Sequence, residues 1–190
     1  MENKGGVLVL VAVIATFLLS IFILTGFEDQ NYDVSISELQ GQSLGAYDAP
    51  VTIVEWGSFD CPHCKEFAID ILPKLEAQYV SQGELKIIYK HLPTEDKTKE
   101  LGAECAGKQG KFWNYYHSVY EGFEYTDLDM EQYESCVKSK KYLDDVNKDL
   151  LDGLNLGVRA TPTFVINGRI IEGAIPYETF VALIDQELNN

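Results

Sequence analysis

Basic residues are scarce in this chain. Lys and Arg together number 15 against 30 Asp and Glu, for a formal net charge of −15 over 190 residues. Such a surface repels phosphate backbones and anionic headgroups, which excludes nucleic-acid binding and electrostatic attachment to lipid. It identifies no substrate, and its plain reading is a solubilising surface. Cysteine is scarce too, with four in all: Cys61, Cys64, Cys105 and Cys136. Only the first two stand close together. A zinc knuckle needs a second ligand pair at similar spacing, and Cys105 and Cys136 stand alone and far apart. There are no internal repeats and no low-complexity tract.

Charge is absent altogether from Gly5 to Phe27, and Val7 to Thr25 is almost wholly aliphatic or aromatic. A run of that length matches the roughly 20 helical residues that cross a bilayer core. A signal peptide has a shorter apolar region, about 7–15 residues, followed by a small-x-small cleavage site. Ile23-Leu24-Thr25-Gly26-Phe27 offers a poor site, and no cysteine follows for lipidation. Residues 1–27 are therefore expected to form an uncleaved transmembrane helix. Lys4 and the terminal amine on one side, with Glu28, Asp29 and Asp33 on the other, orient the N-terminus to the cytoplasm. Residues 46–190 then form one extracytoplasmic domain, joined through a tether at 28–45 that carries a short edge strand at Asp33–Leu39.

What the domain does is concentrated in Cys61-Pro62-His63-Cys64. Two cysteines separated by two residues can close a small disulfide ring. Proline is tolerated best in the first turn of a helix, where its missing N–H would be unpaired anyway. Cys61 thus falls at a helix N-terminus, whose unpaired amides and dipole favour a thiolate. His63 can add a further positive charge. Redox chemistry is the expectation, against an inert bridge.

The surrounding pattern places the motif. Val51–Trp56 is a run of β-formers and reads as a buried strand. Lys65–Ser81 carries Phe67, Ile71, Leu75 and Tyr79 on one helix face, and Glu84–His91 reads as a second central strand. Strand, helix, strand implies a right-handed crossover with parallel pairing. Residues 94–157 break the alternation with helical segments near Lys97–Gln109, Phe112–Glu121, Asp129–Ser139 and Lys141–Leu154. Thr163–Ile166 and Arg169–Glu172 flank Asn167-Gly168, the strongest short hairpin signal. A last amphipathic helix spans about Pro176–Leu188.

In this order, and in Asp48-Ala49-Pro50-Val51, Glu55 through Cys64, Gly110-Lys111-Phe112-Trp113 and Gly157 through Arg169, the chain resembles the DsbA-like thiol:disulfide oxidoreductases. The likeness covers about residues 44–188 and is to the membrane-anchored Gram-positive and archaeal branch. It implies an α/β thioredoxin-like fold with an inserted all-helical domain. Cys61 would be the exposed nucleophile, Cys64 the resolving cysteine, and His63 a stabiliser of the Cys61 thiolate. Glu55 matches the acidic residue beneath the active site and would exchange a proton with Cys64. A partly exposed strand-end carboxylate is the plainer reading. Pro162 matches a cis-proline facing the motif. Thr161 departs from the valine of the best-known DsbA enzymes, and the Asp60 carboxylate would oppose a thiolate next door. Both bear on the strength of oxidation.

Cys105 and Cys136 are expected to point inward and form a structural disulfide, since the compartment is oxidising. A second redox relay lacks CxxC geometry. Phe112, Trp113, Tyr115, Tyr116 and Tyr120 are expected to build the insertion's own core, and His91 and His117 to be core or surface residues.

The function implied is a monomeric disulfide oxidase acting on reduced, unfolded exported proteins. A membrane thiol oxidase of the DsbB or VKOR type would reoxidise it. No cofactor or metal is implied beyond the Cys61–Cys64 disulfide. A reductase or isomerase fed by a membrane electron carrier reverses the flow, though residues 28–45 are too short for the dimerisation domain of the isomerases. A Cu(I)-binding assembly factor using Cys61, Cys64 and a histidine is the third reading.

Overall fold

A computed structural model describes residues 40–123 and 127–189. The apolar segment read as an anchor (1–27), the tether up to residue 39 and the edge strand read at 33–39 lie outside the described residues. No helix among the described residues is long and apolar enough to cross a membrane.

The sheet is built around β2 (Val51–Gly57), every residue of which is buried. It pairs in parallel with β3 (Leu85–His91) and antiparallel with β4 (Thr163–Ile166). β5 (Arg169–Glu172) closes the hairpin with β4. Asn167 and Gly168 both have positive φ, 43° and 96°, the signature of a tight two-residue hairpin turn. β1 (Gln42–Leu44) pairs antiparallel with β3, giving the order β1-β3-β2-β4-β5. The edge strand thus lies at 42–44, in residues expected to belong to the tether.

Between β2 and β3 runs a composite helix. α1 (Pro62–Glu66) passes into a π-helical stretch (Phe67–Ile71), then α2 (Leu72–Leu75), then a second π-helical stretch (Glu76–Val80). Sequence periodicity predicts a uniform helix here. Pro73 prevents it: with no N–H to give the Ile69 carbonyl, it disrupts the i→i−4 ladder. The Leu72 amide bonds the Phe67 carbonyl instead, five residues back. Phe67, Leu72, Leu75 and Tyr79 are buried, while Ile71 is only half-buried.

The helical insertion comprises α3 (Thr98–Gly107), α4 (Phe112–Glu121), α5 (Met130–Lys138) and α6 (Leu143–Asn155), and α7 (Tyr177–Leu188) ends the domain. Alternation along β2 divides the core. Val54 and Trp56 face a small cluster with Ile88, Val158 and Val165. Against this face lies α6, close enough that a Cβ on Gly153 would stand 2.6 Å from Trp56 Nε1. The other face packs Ile53, Ile87, Phe67, Phe164 and Phe180. Phe112, Tyr116 and Tyr120 join that main core rather than forming a separate one.

Buried ion pairs fasten the insertion to the sheet. Lys90 Nζ lies 2.7 Å from Asp149 and 2.9 Å from Asp152. His91 Nε2 lies 3.0 Å from Glu104 Oε1. His117 is half-buried near Glu76. Cys105 and Cys136 form a disulfide joining α3 to α5. Cys105 is buried as expected, but α5 has no fully buried residue, Cys136 is only half-buried and Met130 on the same helix is exposed. The bridge, with the Tyr133–Tyr115 hydroxyl contact of 3.2 Å, holds α5 in place of a core.

Candidate active site

β2 ends at Gly57, and a short loop brings the chain to Cys61, the N-cap of α1. Extended dihedrals at Cys61 (φ −84°, ψ 120°) turn its sulfur back over the first turn, where it accepts from the Cys64 amide at 3.4 Å. That is what an N-cap side chain does, with sulfur in the place of the usual oxygen. The chain then enters the helix through Pro62 at its first position.

Across from the motif the Thr161–Pro162 bond is cis. The Cys61 thiol donates to the Thr161 carbonyl at 3.2 Å. Burial pushes the Cys61 pKa up, but hydrogen bonds from the Thr161 side chain and from the Cys64 and His63 amides prevail and hold it below the ordinary thiol value.

Two expectations about charge change. The His63 ring points to Glu66, with Nδ1 3.0 Å from Oε2 on the exposed surface. His63 reaches the Cys61 sulfur through its backbone amide, not its imidazole. Asp60 is tied by a 2.6 Å ion pair to Lys99 of α3, so its charge is largely offset before it acts on Cys61.

Cys64 is sealed, with no exposed surface. Burial first, then the Glu55 charge, push its pKa far above the ordinary thiol range, with only the Ser58 amide favouring the thiolate. Both cysteines are free. Beneath them Glu55 is fully buried, contrary to the plainer reading of a strand-end carboxylate. Burial raises its pKa from 4.5 to about 8, against the opposing hydrogen bond from Tyr116. Tyr116 Oη donates to Glu55 Oε2 at 3.2 Å, and Tyr120 Oη donates to the Ser58 carbonyl at 3.0 Å. Tyr89, opposite Glu55 in the β2–β3 register, completes the wall. All three phenols have pKa values raised by burial, so the chamber around the acid is neutral.

Sequence reasoning placed Cys61, Pro62, His63, Cys64, Glu55, Thr161 and Pro162; the fold gathers them around the motif, except that the His63 ring turns away to Glu66. It missed Tyr89, Tyr116, Tyr120, Ser58 and Lys99. Tyr116 and Tyr120 carry a usable signal, since residues i and i+4 share one helix face.

A thiol pair at the start of a helix, on a mixed sheet flanked by helices and opposite a cis-proline, defines a thioredoxin-like redox protein. The family model described as Thioredoxin matches residues 37–186. The probable disulfide bond formation protein D of Bacillus cereus is 29% identical over 171 residues, covering 77% of this chain and 78% of that one. Disulfide bond formation protein D of Bacillus subtilis is 26% identical over 174 residues, covering 79% and 78%. The crystal structure of oxidised BdbD from Bacillus subtilis superposes with a TM-score of 0.71 at 25% identity, covering 78% of this chain and 92% of that one. The chain belongs to the thioredoxin family and, within it, to the DsbA-like thiol:disulfide oxidoreductases.

Proposed function

We propose that the protein introduces disulfides into exported proteins through Cys61 and Cys64, and that a membrane thiol oxidase of the DsbB or VKOR type restores its disulfide. The observation that carries this reading is the contrast between the two sulfurs. Cys61 is accessible and favours its thiolate, whereas Cys64 is sealed and disfavours it.

In the oxidised enzyme, a substrate thiolate attacks Cys61 Sγ, and the Cys61–Cys64 bond breaks. Cys64 leaves as a thiolate that its surroundings cannot stabilise, and it takes the proton held by Glu55. A second substrate thiolate then attacks the substrate sulfur of the mixed disulfide and expels the Cys61 thiolate, a good leaving group because its pKa is low. The substrate has lost two electrons and the enzyme has gained them. Reoxidation runs the exchange backwards, with Glu55 recovering the proton of Cys64. An apolar groove of about 260 Å³ bordered by His63 and Pro162, with Phe67, Ile71, Phe164 and Ile175 among its walls, suits the apolar residues of an unfolded chain. Residues 1–27 anchor the domain outside the membrane, and protease accessibility in intact cells tests that placement.

The reduction potential of the Cys61–Cys64 pair against glutathione tests the direction of flow. A value near −120 mV, as in DsbA, is expected, and one near −270 mV, as in thioredoxin, would make the protein a reductase. Cys64→Ala should trap reduced substrates on Cys61. Trapping on Cys64 in a Cys61→Ala variant would reverse the assigned roles.

A further inference from the structure

We propose that Tyr116 of the helical insertion is a positioning residue for the acid–base step: its hydroxyl engages Oε2 of Glu55 and leaves Oε1 as the oxygen that gives and takes the proton. The inference rests on the acid–base role of Glu55 proposed above and assigns the geometry that makes the role workable.

A protonated carboxyl has one hydroxyl oxygen and one carbonyl-like oxygen. Tyr116 Oη donates to Oε2 at 3.2 Å, so Oε2 is the acceptor and the carboxyl proton belongs on Oε1. Oε1 is buried and makes no hydrogen bond to protein. It is therefore unencumbered when Cys64 needs a proton. Space for it is kept by Gly57, where a Cβ would stand 3.0 Å from Oε1 and 2.7 Å from Tyr89 Cε2.

The groups facing Glu55 come from three elements. Tyr116 and Tyr120 belong to α4, Tyr89 to β3, and Cys61 and Cys64 to the motif. The cation nearest in sequence on β3, Lys90, points to the opposite face and pairs with Asp149 and Asp152. With phenols and thiols around it, the carboxylate has its Tyr116 hydrogen bond as the interaction that favours it. Losing that bond should leave the base weaker in population at neutral pH.

The test uses the full chain with Cys61 capped by thionitrobenzoate as a mixed disulfide. Cys64 attacks Cys61 Sγ, the Cys61–Cys64 bond forms, the coloured thiolate leaves, and the Cys64 proton passes to Glu55. Release is followed against pH. The wild type should show a midpoint near 8, the value to which burial brings Glu55. Tyr116→Phe should move the midpoint up by about one unit and slow release at pH 7 roughly tenfold. Tyr115→Phe, on the same helix but with its hydroxyl on Tyr133, should leave it in place. Incorporating 3-fluorotyrosine at 116 keeps the shape and strengthens the donor, so the midpoint should move down. An unmoved midpoint with 3-fluorotyrosine, or equal shifts in Tyr116→Phe and Tyr115→Phe, would overturn the inference. Glu55→Gln separates the two levels. If it leaves the wild-type midpoint intact, the acid–base role itself fails. If it abolishes the midpoint while changes at Tyr116 do not move it, only the positioning role fails.

Discussion

Replacing Glu55 by Gln should stabilise the reduced protein, and by an amount that grows with pH. In the unfolded chain the carboxyl titrates near 4.5, and in the fold near 8. A pKa raised by folding means that the native state prefers the protonated acid. Its stability is fully present below the unfolded pKa and is lost as pH rises through the folded one. Each unit is worth about 1.4 kcal/mol. At pH 7 the native state keeps a proton that the unfolded state has released, which costs about 3 kcal/mol. Above pH 8 the cost levels off at about 5 kcal/mol. Gln is neutral at every pH and its amide oxygen can still accept from Tyr116. The variant should therefore match the wild type at pH 4, exceed it by about 3 kcal/mol at pH 7 and by about 5 kcal/mol at pH 9. Urea unfolding of both reduced proteins over this range gives the difference directly, and groups common to both cancel. A difference independent of pH, or a variant less stable than wild type at pH 7, would refute the reasoning.

Other sites give smaller or more local effects. His63→Gln should shift the Cys61 pKa by less than about half a unit, because the ring is paired with Glu66 on the surface, where such pairs are weak; thiolate absorbance against pH measures it. Replacing Cys105 and Cys136 together by Ala opens a loop of 31 residues and should cost about 4 kcal/mol in urea unfolding on the chain-entropy account, with most of the thiol oxidation per folded molecule retained. Gly153→Ala should cost about 1–3 kcal/mol, because its Cβ would meet the Trp56 indole at 2.6 Å; a neutral result would show that α6 can shift.

The elements most visible in the sequence were those with local chemistry of their own. Asn167-Gly168 marked the β4–β5 hairpin to the residue, and Pro62 fixed where α1 begins. The π-helical stretches were hidden, because apolar spacing of four residues reads as a helix face whether the ladder is α or π. The edge strand at Gln42–Leu44 was equally hidden: three residues carry too little pattern, and their pairing depends on β3. In α5, Met130, Tyr133 and Cys136 share a face, yet the helix is held at the surface by its disulfide. At the site, the reactive residues were legible from the motif and the resemblance. The tyrosine wall was not, since Tyr89 and Tyr116 meet only after the insertion has folded back across the sheet.

That folding back changes what the insertion is. It leaves the sheet after β3 and returns at β4, the two strands that flank β2, and α4 lays Tyr116 and Tyr120 over the one carboxyl that β2 buries. The helical unit is thus an insulating cover for an internal acid. Without it, Glu55 would lose the two phenols that cover it, its affinity for protons would fall toward that of an ordinary carboxylate, and Cys64 would have a poorer neutral donor at its side. Lifting α4 enough to admit solvent would discharge the acid, so the tightness of one helix against the sheet governs whether the buried sulfur finds a proton when its bond breaks.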